Sequence, residues 1–206
     1  MSRILIVCFA LGLCACKIEK LPPSGPSADD FERAQLGDDW LVTGGNWHID
    51  NGALAVDHAY NHPLWLKKAI PQDAVIELDC WSNAPDGDLK IEAWGDGKSF
   101  ATTLDYDSTS YVFIFGGWHN QISAIARMQE HGNDRRPRMD WHVERGRRYH
   151  WRITKKGGDI DWQIDGQPFL SFHDGRPLHG AEHSYFAFND WEAELHFDNL
   201  KVTPLP

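Results

Sequence analysis

Hydrophobic and polar residues alternate in short runs along most of the chain. Period-two alternation is typical of half-buried strands, and no run with helical periodicity is longer than about two turns. Turn sequences such as Asp50-Asn51-Gly52 and Asp165-Gly166 separate the runs, because Gly and Asn adopt the positive φ that tight hairpins require. Many short strands at close spacing predict an all-β sandwich or barrel. The predicted strands are residues 47–49, 53–56, 64–67, 75–81, 89–94, 101–105, 111–115, 123–129, 149–154, 160–164, 169–172, 184–189 and 193–202.

The parity of these strands separates core-facing residues from outward-facing ones, because successive side chains of a strand point to opposite faces. The apolar set predicted to face the core is Ile76, Leu78, Cys80, Leu89, Ile91, Ala93, Ile122, Ala124, Ala126, Met128, Phe186 and Phe188. The set predicted to face outward is Glu77, Asp79, Trp81, Lys90, Glu92, Trp94, Arg127, Gln129, His131, Tyr185, Asn189 and Trp191. Aromatic rings, carboxylates and amides are the groups that bind sugars, so this pattern predicts a sugar site if these strands share one concave sheet.

The first twenty residues have the pattern of an export signal. An apolar run from Ile4 to Ala15 follows Arg3 and is too short to span a membrane. The sequence Leu13-Cys14-Ala15-Cys16 resembles the lipobox of bacterial lipoproteins. This resemblance implies that residues 1–15 are removed, that Cys16 carries a diacylglyceryl thioether, and that the new N-terminus is acylated, for example with palmitate. The alternative is an ordinary signal peptide cut near Ala15.

Several acyl chains give stable membrane anchoring, whereas one chain gives only marginal binding. Lys17 follows the cysteine, and the absence of Asp at that place favours the outer membrane in organisms that follow the common lipoprotein sorting rule. Residues 16–29, with Pro22-Pro23-Ser24-Gly25-Pro26, are predicted to be a tether. The remaining residues, 30–206, are predicted to form one domain in the cell envelope.

Composition and charge narrow the partners. Only Cys80 is left after the signal and the lipidated cysteine, so we expect no intramolecular disulfide and a buried thiol. The formal net charge of −10 argues against a nucleic-acid partner, because phosphates require a basic face. The ten Trp residues are suited either to a β-sandwich core or to a sugar site. We therefore expect a polysaccharide or oligosaccharide partner.

The second half of the chain carries a family resemblance. Tyr149-His150-Trp151-Arg152-Ile153 is followed by the hairpin turn Asp165-Gly166, by the aromatic strand Tyr185-Phe186-Ala187-Phe188, and by Phe197-Asp198-Asn199-Leu200-Lys201-Val202. This order resembles the concanavalin A-like lectin/glucanase superfamily, which includes laminin-G and family-sixteen glycoside hydrolase domains. The resemblance implies a two-sheet antiparallel jelly-roll sandwich. Lectins, hydrolases, lyases and binding modules share that fold, so the fold leaves the activity open.

A hydrolase reading rests on Glu77 and Asp79. These residues match the first two positions of the E-x-D-x-(x)-E signature of family sixteen, whereas the third position falls on Trp81 or Ser82. Glu92, on another predicted strand, is then the expected second carboxyl, because both hydrolytic mechanisms need two. The alternative is that Glu77 and Asp79 are ordinary outward residues of a strand.

A second candidate constellation begins at Gly116-Gly117, where Trp118, His119 and Asn120 are predicted to form a loop at the sheet edge. Arg127 and His131 follow on the next predicted strand. His beside Arg provides a base and a charge stabiliser for β-elimination of an acidic sugar, which polysaccharide lyases of this fold use. The Gln-x-His and Tyr-x-Lys strand motifs of such lyases are missing, so the lyase hypothesis ranks below the hydrolase and binding hypotheses. The alternative is a rim of solvated polar residues.

Calcium is the expected metal, if any, because the histidines lack the spacing of known metal motifs. Members of the resembled superfamily often hold a structural calcium through an Asp of the closing strand. Asp198 occupies that place here, with Asp30 or Glu32 as partners. The alternative is that Asp198 caps a turn.

These observations together predict a lipid-anchored envelope protein whose jelly roll recognises a glycan. An enzymatic version uses Glu77, Asp79 and Glu92 as a glycosidase. A binding version uses a larger outward set, namely Trp81, Trp94, Trp118, Asn120, Arg127, His131, Asn189 and Trp191. A third possibility is a structural envelope protein in which these tryptophans lie in the core.

Overall fold

Two antiparallel sheets pack face to face in a computed structural model that describes residues 21–104 and 106–206. The strands are β1 (Ser27–Asp29), β2 (Trp40–Val42), β3 (His48–Asp50), β4 (Ala53–Val56), β5 (Leu64–Leu66), β6 (Ala74–Ser82), β7 (Leu89–Gly95), β8 (Asp107–Gly116), β9 (Ile122–Gln129), β10 (Arg136–Arg138), β11 (Tyr149–Lys156), β12 (Asp159–Ile164), β13 (Gln167–His173), β14 (Tyr185–Asn189) and β15 (Leu195–Pro204). A short helical turn, α1 (Gly117–Asn120), joins β8 to β9, and a 3₁₀ turn (Ala181–His183) precedes β14.

The back sheet has the strand order β13-β12-β11-β6-β15-β4-β3, with β1 also paired to β15. The front sheet has the order β10-β9-β8-β7-β14-β5-β2. This arrangement confirms the predicted two-sheet jelly roll. The predicted signal peptide and Cys16 lie outside the described residues. Within the described part of the chain, no helix is long and apolar enough to cross a membrane.

The core fills the space between the two sheets and is rich in aromatic rings. Ile76, Leu78 and Cys80 of β6 are fully buried, as strand parity predicts. Trp151 and Trp162 pack edge to face with ring centroids 4.5 Å apart, and Phe186 and Phe188 do so at 4.9 Å. Edge-to-face aromatic pairs add stabilisation beyond that of burial alone. The sandwich is thus held together by a continuous apolar core, and Cys80 is a free, buried thiol within it.

The last residues of the predicted tether belong to the sandwich. Ser27 to Asp29 form β1 and pair with β15 from Leu200 to Val202. The Asp29 carboxylate accepts hydrogen bonds from Arg33 at 2.6 and 2.8 Å and from the Trp40 indole at 2.9 Å. These contacts outweigh the effect of burial on Asp29 and lower its pKa. The segment is thus held by paired backbone and by a satisfied carboxylate.

The structure differs from the predicted strands at a few places. Residues 101–104 of the predicted strand 101–105 form bends, and residue 105 is not described. Just before this segment, the Asp96 carboxylate accepts hydrogen bonds from the Lys98 and Ser99 backbone amides, which forms a turn in place of a strand. Strands β1, β2 and β10 were not predicted; β1 (Ser-Ala-Asp) and β10 (Arg-Pro-Arg) contain no large apolar side chain that would mark them as strands.

Phe31 offers a test of how the N-terminal segment is held. Its ring is fully buried and lies 5.9 Å from the rings of Trp40 and Phe188. Large-to-small core substitutions of Phe cost about 3–5 kcal/mol. We expect Phe31→Ala to lower the free energy of unfolding by about that amount in urea denaturation. Leu41→Ala, at an exposed position, is the control. An equal loss in both variants would contradict this packing.

Candidate functional site

A cleft of about 560 Å³ lies on the outer face of the front sheet. Its floor includes Ile114, which clusters with Val112 and Ala126 on the side of the sheet away from the core. Trp118 from α1 and Trp191 from the loop after β14 stand at the sides. We call this the tryptophan cleft. It is lined by His58, Ala84, Asp86, Asp88, Lys90, Leu104, Ile114, Trp118, His119, Glu130, His131, Trp191, Glu192 and Ala193.

Trp118 is presented by a left-handed turn. Gly116 has φ of 72°, and Trp118, His119 and Asn120 have φ of 50°, 59° and 61°. A left-handed conformation costs roughly 1–2 kcal/mol for each residue that has a Cβ. Such strain persists only where the surrounding structure enforces it, and it clusters at functional sites. The turn is therefore a specialised element that positions a ring over the cleft.

Asn120 is the residue that enforces this turn. Its side chain donates a hydrogen bond to the Val143 carbonyl and accepts one from the Val143 amide, each at 2.8 Å. The Gln121 amide closes the turn on the Gly117 carbonyl at 3.0 Å. Asn120 was predicted to bind ligand directly. The structure instead ties its side chain to the protein backbone, where it positions Trp118.

The ring of Trp118 is also fixed from the side. The Arg135 guanidinium lies 4.8 Å from the centroid of its ring, and the His131 ring approaches it edge-on at 5.5 Å. On the other side of the cleft, the ring of Trp191 contacts Tyr60 edge-on at 5.2 Å. Both indoles are half-buried, so each offers a fixed apolar surface to a ligand.

A buried ammonium group lies at the base of the cleft. Lys90 is 2% exposed, and its Nζ donates to Asn61 Oδ1 at 2.9 Å and to Glu130 Oε2 at 3.3 Å. Burial by itself would lower the pKa of Lys90, but the negative charges of Glu130, Asp88 and Asp190 outweigh it and raise the pKa. The Glu130 pKa is lowered by the same contact, which outweighs the effect of burial. Both groups therefore stay charged at neutral pH.

Two other carboxyls near Lys90 have raised pKa values. Loss of water raises the pKa of Asp88 to about 6, and the neighbouring charge of Glu130 adds to the shift. Loss of water likewise raises the pKa of Asp190 to about 7. Asp190 accepts hydrogen bonds from the Ala59 and Ala193 amides at 2.9 and 3.0 Å, which joins two loops at the cleft.

Glu92 lies on the same face of the front sheet but is completely buried. Its carboxylate accepts hydrogen bonds from Ser108 and Ser110 at 2.5 Å and from Asn189 at 2.7 Å. Burial raises its pKa, and the hydroxyl donors offset part of that shift. Tyr106 adds a contact at 3.3 Å. Glu92 and Asn189 therefore support the cleft from within the sheet and contact no solvent.

The predicted carboxyl cluster is divided between the two sheets. Glu77 and Asp79 lie on β6 of the back sheet, whereas Glu92 lies on β7 of the front sheet, so the expectation of one shared concave sheet is wrong. Glu77 pairs with Arg152 at 2.8 Å, and Asp79 lies 2.8 Å from the His150 ring. The separation follows from the connection between β6 and β7, which crosses from one sheet to the other.

The predicted ligand-binding residues are also distributed. Trp118, His131 and Trp191 meet in the tryptophan cleft. Trp81 lies on the back sheet, where it stacks on His196 at 4.9 Å. The predicted outward orientation of Trp94 is wrong. Its backbone φ is 58°, which breaks the alternation, and its ring is buried in the core with Nε1 donating to the Pro71 carbonyl at 3.0 Å.

The predicted parity of β9 is reversed from Ala124 to Arg127, whereas Met128, with φ of 65°, packs against the core as predicted. Ile125 belongs to the core, whereas Ala126 belongs to the cluster on the outer face. Arg127 therefore lies on the core side of the sheet at its rim, and its Nε donates to Asp174 at 2.9 Å. Small alanines fit either face of a strand, so the sequence pattern in this strand was ambiguous. Arg127 and His131 do not share the cleft, which removes the geometry that the lyase reading needs.

The residues around Asp198 do not fit a calcium site. Its carboxylate accepts a hydrogen bond from Arg148 at 2.9 Å and from the Asn199 amide at 2.7 Å. A guanidinium at that distance takes the place that a cation would need. Within residues 21–104 and 106–206, no group of three His, Cys, Asp or Glu side chains is arranged to hold a metal.

Several residues of the cleft were missed by the sequence reasoning. Asp88, which directly precedes β7, was not singled out, and Asn61 carries no local pattern because it comes from a loop that only the fold brings to β7. Lys90 did carry a signal, since a lysine between the apolar residues Leu89 and Ile91 on a central strand requires a buried partner. That partner, Glu130, lies far along the chain.

Comparison with solved structures defines the class. The carbohydrate-binding module CBM66 from Bacillus subtilis aligns with a TM-score of 0.61 at 12% identity, over 80% of this chain and 95% of that chain. The Bacillus licheniformis β-glucanase aligns with a TM-score of 0.64 at 10% identity, over 89% of this chain and 100% of that one. A sialidase aligns with a TM-score of 0.63 at 13% identity, over 87% of this chain but only 18% of its own. The protein is a concanavalin A-like jelly-roll sandwich, as the sequence resemblance implied.

The sequence itself matches one family. Residues 89–202, more than half of the 206-residue chain, match the family described as "Farnesoic acid 0-methyl transferase". The chain belongs to that family. Among curated proteins, none matches the chain in sequence. The matched region begins at β7 and includes α1, β9 and the loop after β14, so it contributes most of the tryptophan cleft.

Asn120→Ala tests whether the left-handed turn depends on its clamp. The substitution removes both hydrogen bonds to Val143, and a buried partner left unpaired costs about 1–3 kcal/mol. We expect the variant to have a lower melting temperature. We also expect Trp118 to be more exposed, measured as the acrylamide quenching of tryptophan fluorescence that is lost when Trp118 is replaced by Phe. Gln121→Ala, next in the chain and exposed, is the control. If both variants behaved like the unmodified protein, Asn120 would not be a positioning residue.

Proposed function

We propose that the protein is a non-catalytic glycan-binding domain and that the tryptophan cleft is its binding site. The observation that carries the proposal is the pair of half-buried indoles, Trp118 and Trp191, that line one open cleft. Sugar rings have apolar faces that pack on flat aromatic surfaces. Between these indoles lie charged groups that hydrogen-bond to hydroxyls, including Asp88, Glu130 and His131.

The rigidity of the cleft favours binding. Trp118 is held by the Asn120 clamp and by Arg135, and Glu130 is held by Lys90. Preorganised groups lose little conformational entropy when a ligand binds. A volume of about 560 Å³ is within the usual range for ligand clefts and accommodates a short oligosaccharide. The likeness in fold to a carbohydrate-binding module and a β-glucanase agrees with a glycan ligand.

The geometry gives no support to hydrolysis by the predicted carboxyls. Glu77 forms an ion pair with Arg152 and Asp79 contacts the His150 ring, both on the back sheet, and Glu92 has no exposed surface. A glycosidase needs two carboxyls that flank one bond, about 5–5.5 Å apart for retention or 6.5–9.5 Å for inversion. Residues on opposite sheets do not meet that requirement. Glu77→Gln is accordingly expected to leave any glycan interaction unchanged.

The family description names farnesoic acid, an apolar chain that ends in a carboxylate. The tryptophan cleft has a small apolar floor at Ile114 and charged side chains around it. A long hydrocarbon in this cleft would lie against the partly exposed carboxylates of Asp88 and Glu130, whose desolvation is unfavourable. A sugar, with hydroxyls at its edges, suits those groups better. Farnesoic acid is therefore a useful comparison ligand.

A panel of polysaccharides tests the binding function by affinity electrophoresis. We expect Trp118→Ala and Trp191→Ala to weaken retardation at least tenfold, because each removes a stacking surface in the cleft (about 1–3 kcal/mol). Trp81→Ala, on the back sheet, is the matched control and is expected to bind as the unmodified protein does. Product analysis on the same panel detects cleavage. Three outcomes would contradict the proposal. They are a loss of binding in Trp81→Ala alone, release of products that Glu77→Gln abolishes, and binding of farnesoic acid in the cleft with no retardation by any polysaccharide.

We also propose that Cys16 anchors the domain to the cell envelope, with the outer membrane as the favoured location. The support is the lipobox-like sequence Leu13-Cys14-Ala15-Cys16 and the short apolar run before it. A membrane-fixed glycan-binding domain would retain polysaccharides near the cell surface.

The anchor is tested by metabolic labelling with a palmitate analogue in a bacterial host. Cys16→Ser is expected to lose the label and to leave the membrane fraction, because no other residue accepts the thioether. Cys14→Ser, two residues away, is the control and is expected to keep the label. Equal labelling of both variants would disprove the assignment of Cys16.

A further inference from the structure

A second cleft, rich in arginine, lies beside the tryptophan cleft. It has a volume of about 470 Å³ and is lined by Arg127, Arg135, Arg136 and Arg176, together with Asp134 and Asp174. We call it the arginine cleft. It lies between the β9–β10 connection and the turn that follows β13. In a chain of net charge −10, this concentration of guanidinium groups at one place requires a local explanation.

The carboxylates of the arginine cleft do not neutralise it. Asp174 is buried and accepts hydrogen bonds from Tyr111 at 2.7 Å, from the Arg176 amide at 2.8 Å and from Arg127 at 2.9 Å. These donors outweigh burial and lower the pKa of Asp174, so it is ionised and engaged with Arg127. Asp134 lies exposed at the rim. Asp174 thus serves to hold one guanidinium in place.

Two guanidinium groups of this cleft have no partner. Among residues 21–104 and 106–206, neither the Arg136 nor the Arg176 side chain forms a hydrogen bond, an ion pair or a ring contact. Neighbouring like charges repel each other, and an anion between them removes that repulsion. The planar fork of arginine matches carboxylate and sulfate oxygens in pairs, which is why arginine is the usual residue for their recognition.

The two clefts share a wall. Arg135 lines the arginine cleft, while its guanidinium stacks on Trp118 of the tryptophan cleft and donates to the Glu130 carbonyl at 3.1 Å. A chain of sugars that extends from Trp118 across Arg135 would enter the arginine cleft. Arg135 therefore both fixes the Trp118 ring and lines the arginine cleft.

We propose that the arginine cleft binds oxyanion substituents, carboxylate or sulfate, on an acidic polysaccharide whose neighbouring sugars occupy the tryptophan cleft. The proposal rests on the glycan-binding function proposed above and identifies the class of glycan. Arg136 and Arg176 are the residues expected to contact the anion. Arg127, held by Asp174, shapes the cleft between them.

Affinity electrophoresis with four polymers tests this proposal: dextran as the neutral probe, dextran sulfate as the sulfate probe, and alginate and polygalacturonate as the carboxylate probes. We expect at least one anionic polymer to retard the protein at about a tenfold lower concentration than dextran does, with the retardation weakened by salt. Arg136→Gln/Arg176→Gln is expected to lose that preference. Retardation by the uronate polymers alone identifies carboxylate as the ligand group, and retardation by dextran sulfate alone identifies sulfate.

Arg145→Gln/Lys201→Gln is the matched control. It removes the same amount of charge at exposed positions outside the arginine cleft, and it is expected to bind as the unmodified protein does. The proposal is overturned if no anionic polymer is preferred to dextran, if the double arginine variant keeps the preference, or if the control variant loses it equally. Thermal unfolding of both variants checks that each is folded.

Trp191→Ala separates this proposal from the one on which it rests. If binding to the anionic polymer depends on Arg136 and Arg176 but not on Trp191, the arginine cleft stands and the tryptophan cleft fails as the glycan site. If a neutral glycan binds through Trp191 with no anionic preference, the tryptophan cleft stands and the arginine cleft fails.

Discussion

The buried ammonium of Lys90 is the constraint on which the front face of this protein depends. A charge without water is costly unless it is paired and hydrogen-bonded, and removing one partner of such a pair costs about 3–5 kcal/mol. Here the partners are Glu130, just after β9, and Asn61 from the loop before β5. Asn61 also accepts a hydrogen bond from Asn189, which in turn donates to Glu92. The charge of Lys90 thus joins β7, the loop before β5 and the end of β9 beneath the tryptophan cleft.

The walls of the cleft follow from the same requirement for satisfied polar groups. Backbone amides at positions 59, 60 and 61 bond to Asp190 and Trp191, so the loop before β5 and the loop after β14 are held together. On the opposite side, strain in the left-handed turn at Trp118 is offset by the two hydrogen bonds of Asn120. The indoles therefore stand on segments fixed by hydrogen bonds, which makes the cleft a preformed surface and not a gap between mobile loops.

The two sheets have separate roles. The outer face of the back sheet carries paired charges, such as Glu77 with Arg152 and Asp198 with Arg148, whose arginine partners are exposed to solvent. The outer face of the front sheet carries the half-buried rings of Trp118 and Trp191, and the guanidinium groups of Arg136 and Arg176 lie at the rim of this sheet. Groups that are already paired within the protein bind a ligand less well, so we expect ligand binding on the front sheet.

The sequence by itself determined the fold class, most strand positions and the core of β6, β7 and β14, because alternation of apolar side chains records which face of a strand is dry. It also identified Trp118, His131 and Trp191, whose residue types suit sugar binding. It did not determine which sheet each strand joins, so Glu77 and Asp79 were grouped with Glu92 across the sandwich. It misread Trp94, where a left-handed residue breaks the alternation, and β9, where alanine fits either face. Only the tertiary structure decided that Lys90, Asn61 and Glu130 meet, because contacts between residues distant in sequence depend on strand order and loop path, which local pattern does not encode.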